Sequence, residues 1–512
     1  MPAQMTSEDF SQYGLAGVPA ILLHIGAVDA AALKAAAEQG TTLPGPHSPQ
    51  ADLPLAGTAG PVGVGPRARR RLPLAGAQPI RRTMKARPLL LLLAGLLLLG
   101  FELAGMRSLE SGDVPGFLGA VLAEAAVYAV AVYWVLGRRP APLWLVLAVA
   151  AALRLVQLAA PPLLSTDAYR YVWDGRVQAA GINPYRHIPV SVELQGLRDR
   201  LIYPNINRKD YARTIYPPAA QVFFLATTRI SETITWMKFS MVLWEALATF
   251  LLWKLLQREG RAASELLLYL WHPLPAWEFA GSGHLDAAAL ACVLAALLLR
   301  GSGATALSGV ALALGGLFKL YPLALAPVVW RRGDLKMPAA LVATFACGYL
   351  PYLPAGSLVL GFLPTYVNEE GLDSGTRYYL LQLATQATGV HVPALAYLVL
   401  AGLLLLALSL WVALRDGQPG HAGLLLAAAA TLLLSPHYAW YLAWLLPLAV
   451  LARSVPVLLL GATSFLLYHS LLEETPEVAL QTGHLLYAPF VLLLALEALR
   501  MRSQGATVKS PA

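Results

Sequence analysis

An all-α, polytopic transmembrane helical bundle of about 12–14 spans is predicted by three observations on the sequence. The chain of 512 residues is 57% hydrophobic and only 13% charged, whereas a soluble domain carries about a quarter charged residues. Its mean hydropathy is +0.58. Apolar runs long enough to cross a bilayer recur from Pro88 to Leu499, and helices are required because lipid cannot satisfy backbone polar groups.

The formal net charge of +8 does not point to a nucleic acid. The Arg and Lys residues sit mainly in short breaks between apolar runs, which is the positive-inside pattern of an integral membrane protein. Cys292 and Cys347 both lie in apolar segments, so no disulfide framework is expected. Residues 1–83 read as a disordered or mis-started cytoplasmic extension, rich in Ala, Gly and Pro and ending near the basic run RARRR. No signal-peptide pattern precedes that run, and Met84 opens MKARPLLLLLAGLLLLG, an ordinary first span with a basic flank. A transmembrane domain is expected over 84–500, followed by a cytoplasmic tail at 501–512.

Loop charges then order the spans. Lys85 and Arg87 precede the first span and Arg138 with Arg139 follow the second, near 116–136, so both flanks belong inside. A third span near 141–163 exits outward and delivers STDAYRYVWDGRVQAAGINPYRHIPV, Ser165–Val190, to the outer face. An outer loop from about 164 to 232 follows; its segment YPPAAQVFFLATTR is too short to span. Further spans are expected near 233–256, 262–280, 286–300, 303–318, 320–331, 336–354, 392–414, 420–435, 439–452, 455–471 and 480–499. REGR, WRRGDLK, ALRDG, Arg453 and LRMR then fall inside, while GSGHLD, FKLYP, 355–391, SPHYAWY and EETPE fall outside.

This sorting gathers the unusual polar residues on one face. Asp167 and Asp174, His284 and Asp286, Lys319 and Tyr321, Arg377 with Tyr378 and Tyr379, and His437 and Tyr438 come from five separate outward breaks. Ionisable groups at membrane depth are costly and mark sites, so one shared cavity is expected. Asp167, Tyr171 and Asp174 are four and three apart, on one helix face. Asp167 follows Ser-Thr and fits either a helix cap or a general base for an incoming hydroxyl. Two carboxylates on one face could hold a divalent cation, but no further ligand is evident, and neither a metal nor a cofactor is expected. Arg176 and Arg186 suit a phosphate or a plain interfacial anchor, and Tyr185 and Tyr216 a sugar-stacking surface or an aromatic belt. In WHPLPAWEFAGSGHLDAAAL two prolines break an apolar run before His284 and Asp286, while His272 and Glu278 read as packed polar groups. Lys319 sits between two short apolar segments, where an ammonium suits a phosphate or snorkels outward.

Together these segments resemble the polytopic membrane glycosyltransferases of the GT-C type, specifically the bacterial polyprenol-phosphate-dependent mannosyltransferases and the related mannosyltransferase of GPI-anchor assembly. The resemblance rests on Asp167-x-Tyr169 with Asp174, GINPY, IYPP, HPL…GSGHLDA, FKLYPLALAP and SPHYAWYLAWLLPL, in that order, over about residues 160–450. It implies transfer of a hexose, usually mannose, from a polyprenol-phosphate sugar to a glycan or lipid acceptor hydroxyl on the outer face of the bacterial cytoplasmic membrane. It further implies that Asp167 deprotonates the acceptor while Lys319 and an Arg steady the departing lipid phosphate. The GPI enzyme carries an acidic pair at its first motif, where this chain has Ser165 ahead of Asp167. The residues expected to bind substrate are Tyr171, Asp174, Arg176, Tyr185, Tyr216, His284, Asp286, Lys319, Tyr321, His437 and Tyr438. The rival reading is a multi-span transporter or lipid flippase, which calls for an internal repeat and polar groups spread through the midplane.

Overall fold

The apolar runs fold as helices, and no strand occurs among the described residues. The computed structural model describes residues 79–137, 141–415, 417–472 and 475–507. The extension expected before residue 79 and the last residues of the expected tail lie outside the described residues. The first helix, Pro79–Glu110, begins ahead of Met84, and the last, Pro476–Thr507, runs on into the segment expected as a tail.

Among the described residues, six helical segments are long and apolar enough to cross a membrane: Pro88–Glu110, Val114–Leu136, Ile234–Arg258, Lys336–Val367, Ala394–Leu414 and Glu477–Glu497. Other expected spans are shorter helices, including Leu143–Ala159, Thr305–Phe318 and Pro419–Leu434. Two of the expected spans are broken at prolines. The one expected at 262–280 is a 3₁₀ turn, Ala263–Leu266, a short helix, Leu267–Leu270, and, after a break at Trp271–His272, a helical turn, Pro273–Pro275, that runs into a π-helical stretch, Ala276–Gly281. The one expected at 320–331 is a 3₁₀ turn, Tyr321–Leu325, and a single helical turn, Ala326–Val329. In both, proline removes a backbone donor and crowds the preceding turn. Hydropathy does not register this, because the broken segments remain apolar.

The long loop at about 164–232 is ordered. Its first helix, Asp167–Ala179, packs on Pro218–Thr228, the segment too short to span. Gly175 permits that contact: a Cβ there would lie 2.5 Å from both the Phe224 carbonyl oxygen and Thr228 Oγ1. Buried charges fix the span that leads into this loop. Arg154, in Leu143–Ala159, grips Glu245 of Ile234–Arg258 through two contacts of 3.2 and 2.5 Å and donates to the Leu270 carbonyl at 2.6 Å. Lys238 donates to the carbonyls of Gln157 and Ala160 at 2.7 and 2.6 Å, where free carbonyls at a helix C-terminus favour a cation. Glu102 and Glu124 are also buried inside spans. The unusual polar groups are therefore not confined to the outward breaks; single ionisable residues inside long apolar runs do not disturb the run and escape a loop-based reading.

Candidate active site

Five stretches far apart in sequence meet around one cavity of about 540 Å³. They are residues 162–170, 207–217, 319–321, 362–366 and 438–441. Apolar side chains, Leu163, Leu164, Leu320, Phe362 and Leu363, make up part of the wall, and Tyr216, Tyr321, Tyr366, Tyr438, Trp440 and Tyr441 another. A carboxylate, Asp167, and four cations, Arg170, Arg208, Arg213 and Lys319, complete it.

Asp167 opens the helix Asp167–Ala179, but its carboxylate does not serve as a cap. Oδ1 accepts a 2.7 Å hydrogen bond from Asn207 Nδ2, and Oδ2 lies 3.8 Å from His284 Nδ1. The backbone N–H of Asp167 donates instead to Ser165 Oγ at 3.2 Å. The side chain keeps 19% of its surface exposed, toward the cavity. An aligned carboxylate with a free edge in a half-enclosed space is suited to take a proton from a hydroxyl.

Lys319 follows the C-terminus of Thr305–Phe318 and reaches the cavity with its ammonium 2.6 Å from Asp286 Oδ2 and 5.2 Å from the Tyr441 ring centroid. Asp286, the first residue of Asp286–Gly301, is buried behind it and accepts a second bond from Tyr321 Oη at 3.1 Å. Pairing lets the ammonium stay charged where an isolated ion would be costly. Tyr321 packs on Trp444 with ring centroids 4.9 Å apart.

The expected substrate-binding residues thus divide. Tyr216, Lys319, Tyr321 and Tyr438 line the cavity with Asp167. Tyr171, Asp174, His284 and Asp286 stand behind its wall, fully or almost fully buried. Tyr171 stacks on Phe224 at 4.6 Å and meets Tyr216 edge-on at 4.9 Å. Asp174 is paired at 2.8 Å with Arg170, which reaches the cavity and also donates to the Ala212 carbonyl. His437 does not line the cavity, although its neighbour Tyr438 does.

Two others lie elsewhere. Arg176 binds Asp199, Glu232 and the Leu197 carbonyl, a cluster that ties the loop at about 164–232 together. There, burial works against ionising Asp199, but hydrogen bonds from Arg176 and from the backbone N–H groups of Tyr203 and Ile202 outweigh it and hold its carboxyl at about 2. Tyr185 is buried, donates to the Tyr216 carbonyl at 2.6 Å and packs on Tyr352. Arg186 donates to the Pro354 carbonyl at 2.9 Å, as an anchor does.

Several cavity residues carried no sequence signal of their own. Arg170 sits between the two aspartates already singled out and is distinguished only by its i, i+4 spacing to Asp174. Asn207 and Arg208 come from a polar loop segment; Arg208 has φ +54, rare for a residue with a side chain. Trp440, stacked with both His284 at 4.2 Å and Tyr438 at 4.3 Å, was legible only as part of an aromatic run. Among the described residues no group of three or more His, Cys, Asp or Glu is arranged to hold a metal ion.

No curated protein and no solved structure matches the chain. A family model does, over a stretch that includes Asp167, Arg170, His284, Asp286 and Lys319 and ends before the 362–366 and 438–441 walls. That family is described as alpha-(1->6)-mannopyranosyltransferase, N-terminal domain, and over residues 100–332 this apolar, many-helix chain is similar to it.

Proposed function

We propose that the protein is a GT-C type hexosyltransferase that moves mannose from a polyprenol-phosphate sugar to an acceptor hydroxyl at the outer face of the cytoplasmic membrane. The observation that carries this reading is that Asp167 and Lys319, 152 positions apart by their numbers, line the same cavity between an aromatic wall and an apolar one. The volume suits a sugar and a phosphate head group, within the roughly 300–1,000 Å³ typical of small-ligand sites.

In this reading the acceptor hydroxyl oxygen attacks the anomeric carbon of the donor and forms the new glycosidic bond. The bond from that carbon to the phosphate oxygen breaks, and its electron pair leaves with the lipid phosphate. The hydroxyl proton passes to Asp167. Phosphate is already a competent leaving group, so the protein has chiefly to activate the nucleophile and stabilise the developing anion. Lys319, with Arg213 beside it on the cavity wall, supplies that charge, and the tyrosines and Trp440 offer flat surfaces for the sugar. Attack from the face opposite the phosphate inverts the anomeric centre. The positive-inside order of the loops supports an outward-facing cavity.

The test is to incubate membranes containing the full chain with radiolabelled polyprenol-phosphate mannose and score labelled product, beside Asp167→Ala. The reading expects transfer by the wild type and a fall of about 10²–10⁴-fold in the variant. Transfer that survives Asp167→Ala would remove the base assignment, and no transfer from any lipid-linked hexose would remove the donor class.

A further inference from the structure

Behind Asp167, on the side away from the cavity, stand a histidine and a second carboxylate. His284 is fully buried, with Nδ1 3.8 Å from Asp167 Oδ2 and Nε2 3.4 Å from Glu278 Oε2. Neither ring nitrogen makes a hydrogen bond of ordinary length, and neither does Glu278 Oε2. The other oxygen of Glu278 accepts a 2.6 Å bond from Tyr468 Oη. Both ring nitrogens and Glu278 Oε2 are thus buried with only long contacts, and Ser282 Oγ beside Glu278 is in the same state; this is unusual, because each unsatisfied group costs free energy.

The backbone is shaped to create this arrangement. The stretch Ala276–Gly281 is π-helical, a local widening that recurs at functional sites. After it, Ser282 N–H donates to the Trp277 carbonyl and His284 N–H to the Glu278 carbonyl, each at 2.8 Å. Gly283 has φ +77, and a Cβ there would come within 3.4 Å of Ala168 Cβ and 3.2 Å of Lys238 Cγ. Only a residue without a side chain turns this tightly against the helix that Asp167 begins. Trp440 stacks on the imidazole at 4.2 Å and lines the cavity, whereas His284 does not. Substrate therefore meets the tryptophan and not the histidine.

We propose that His284 is a positioning residue for Asp167, and that Glu278, in its acid form, fixes the imidazole from behind. The argument rests on the reading of Asp167 as the base. Burial favours the neutral imidazole, which has one N–H and one bare nitrogen. A buried carboxylate with no cation against its Oε2 is least costly when it keeps its proton. Glu278 then donates to Nε2, Nδ1–H donates to Asp167 Oδ2, and Asn207 donates to Oδ1. The two donors fix the orientation of the carboxylate and turn its remaining lone pairs to the cavity. The other charged groups facing the imidazole are Lys319 and Asp286, already paired with each other. Those facing Asp167 are Lys319 and the phenols Tyr171, Tyr216 and Tyr468.

The experiment uses the full-length protein in detergent, with radiolabelled polyprenol-phosphate mannose as donor and an alkyl mannoside as acceptor, over a pH series. His284→Ala removes the donor to Oδ2, so kcat should fall about 10²-fold, and the acid limb of kcat/KM should rise by about one pH unit as Asp167 becomes easier to protonate. KM for the donor should stay within about twofold, since the ground-state contacts remain. His284→Asn keeps an N–H near the δ position; its acid limb should stay at the wild-type pH, with a loss in kcat of roughly tenfold. Glu278→Gln still offers an N–H to Nε2 and should lower kcat severalfold without moving the limb, while Glu278→Ala should move it upward. An acid limb unchanged in His284→Ala would overturn the proposal, as would Glu278→Gln moving the limb as far as Glu278→Ala. Asp167→Asn separates the two readings. If it transfers mannose at the wild-type rate the base assignment fails, whereas an inactive Asp167→Asn beside an unshifted His284→Ala sinks the positioning role alone.

Discussion

Lys319 and Asp286 form a 2.6 Å ion pair of which only the lysine reaches the cavity. The two residues have different duties. Removing either partner leaves the other charge buried and uncompensated, which costs about 3–5 kcal/mol. Asp286→Asn and Lys319→Met should therefore each lower the unfolding midpoint of the purified protein in detergent. Replacing a buried pair by apolar side chains of similar volume is often neutral, so Lys319→Met combined with Asp286→Leu should recover most of the midpoint. If Lys319 is the counter-charge of the leaving phosphate, as proposed above, mannose transfer should stay depressed by about 10²–10³-fold in that double variant. Recovery of transfer along with stability would show that the ammonium is only structural.

Asp174 and Asp167 share a helix and sit seven positions apart, yet their surroundings differ. Asp174 is enclosed by Arg170 at 2.8 Å and Gln221 Nε2 at 3.2 Å and does not line the cavity. Asp174→Asn should loosen Arg170 and lower the unfolding midpoint, with a loss of transfer of about tenfold, the effect of a displaced support. Asp167→Asn should leave the midpoint nearly unchanged and cost about 10²–10⁴-fold in kcat. Initial rates and thermal unfolding on the same preparations give both numbers. Equal kinetic losses from the two would make Asp174 a direct participant.

The cavity wall at 362–366 is held by charges from a distant loop. Arg208 pairs with Glu369 and lies 3.8 Å from Glu370, while Glu370 also binds Arg377 at 3.0 Å and accepts from Tyr438 Oη at 3.3 Å. Phe362 is tied to the opposite loop through its N–H to the Thr214 carbonyl, 3.2 Å. Arg208→Ala should free this segment. The apparent KM for the lipid-linked donor should rise about tenfold, the equivalent of one charge-assisted hydrogen bond, and amide exchange over 363–378 should accelerate. A fall in kcat with KM unchanged would assign Arg208 to the chemical step instead.

Much of this arrangement was legible in the sequence, and the reason is specific. A membrane chain announces its site by interrupting apolar runs, and Asp167, Lys319, Tyr321 and Tyr438 all stand at such interruptions and share the cavity. What the sequence could not rank was depth. His284 and Asp286 stand at an equally conspicuous break, yet both are buried behind the wall, because a turn at Gly283 faces them inward. Arg170 was hidden by proximity: in a stretch already crowded with charge, one more arginine adds no contrast. Arg154 and Glu245 were hidden by isolation, each a single ionisable residue in an apolar run, and their pairing depends on two helices meeting. The broken span at 263–281 had its cue in two prolines, but hydropathy alone does not distinguish a kinked segment from a straight one.

His437 supplies a pH-dependent test of the packing around the 438–441 wall of the cavity. It lies between Pro419–Leu434 and the turn Ala439–Leu442, outside the spans. Burial, with the nearby positive charge of Arg377, pushes its imidazole down to about 4, from an ordinary value of about 6.5. The unfolded chain therefore binds a proton more readily than the folded one between those two values. Its contribution is present in full above about pH 6.5 and is lost progressively as the pH falls toward 4. His437→Gln does not titrate, so its unfolding midpoint should decline less than that of the wild type between pH 7 and pH 4.5. The two curves should run parallel above about pH 7, where the histidine is neutral in both states. Thermal unfolding of the two proteins in detergent across this range makes the comparison, and an identical acid decline would mean that the imidazole is not held neutral by its surroundings.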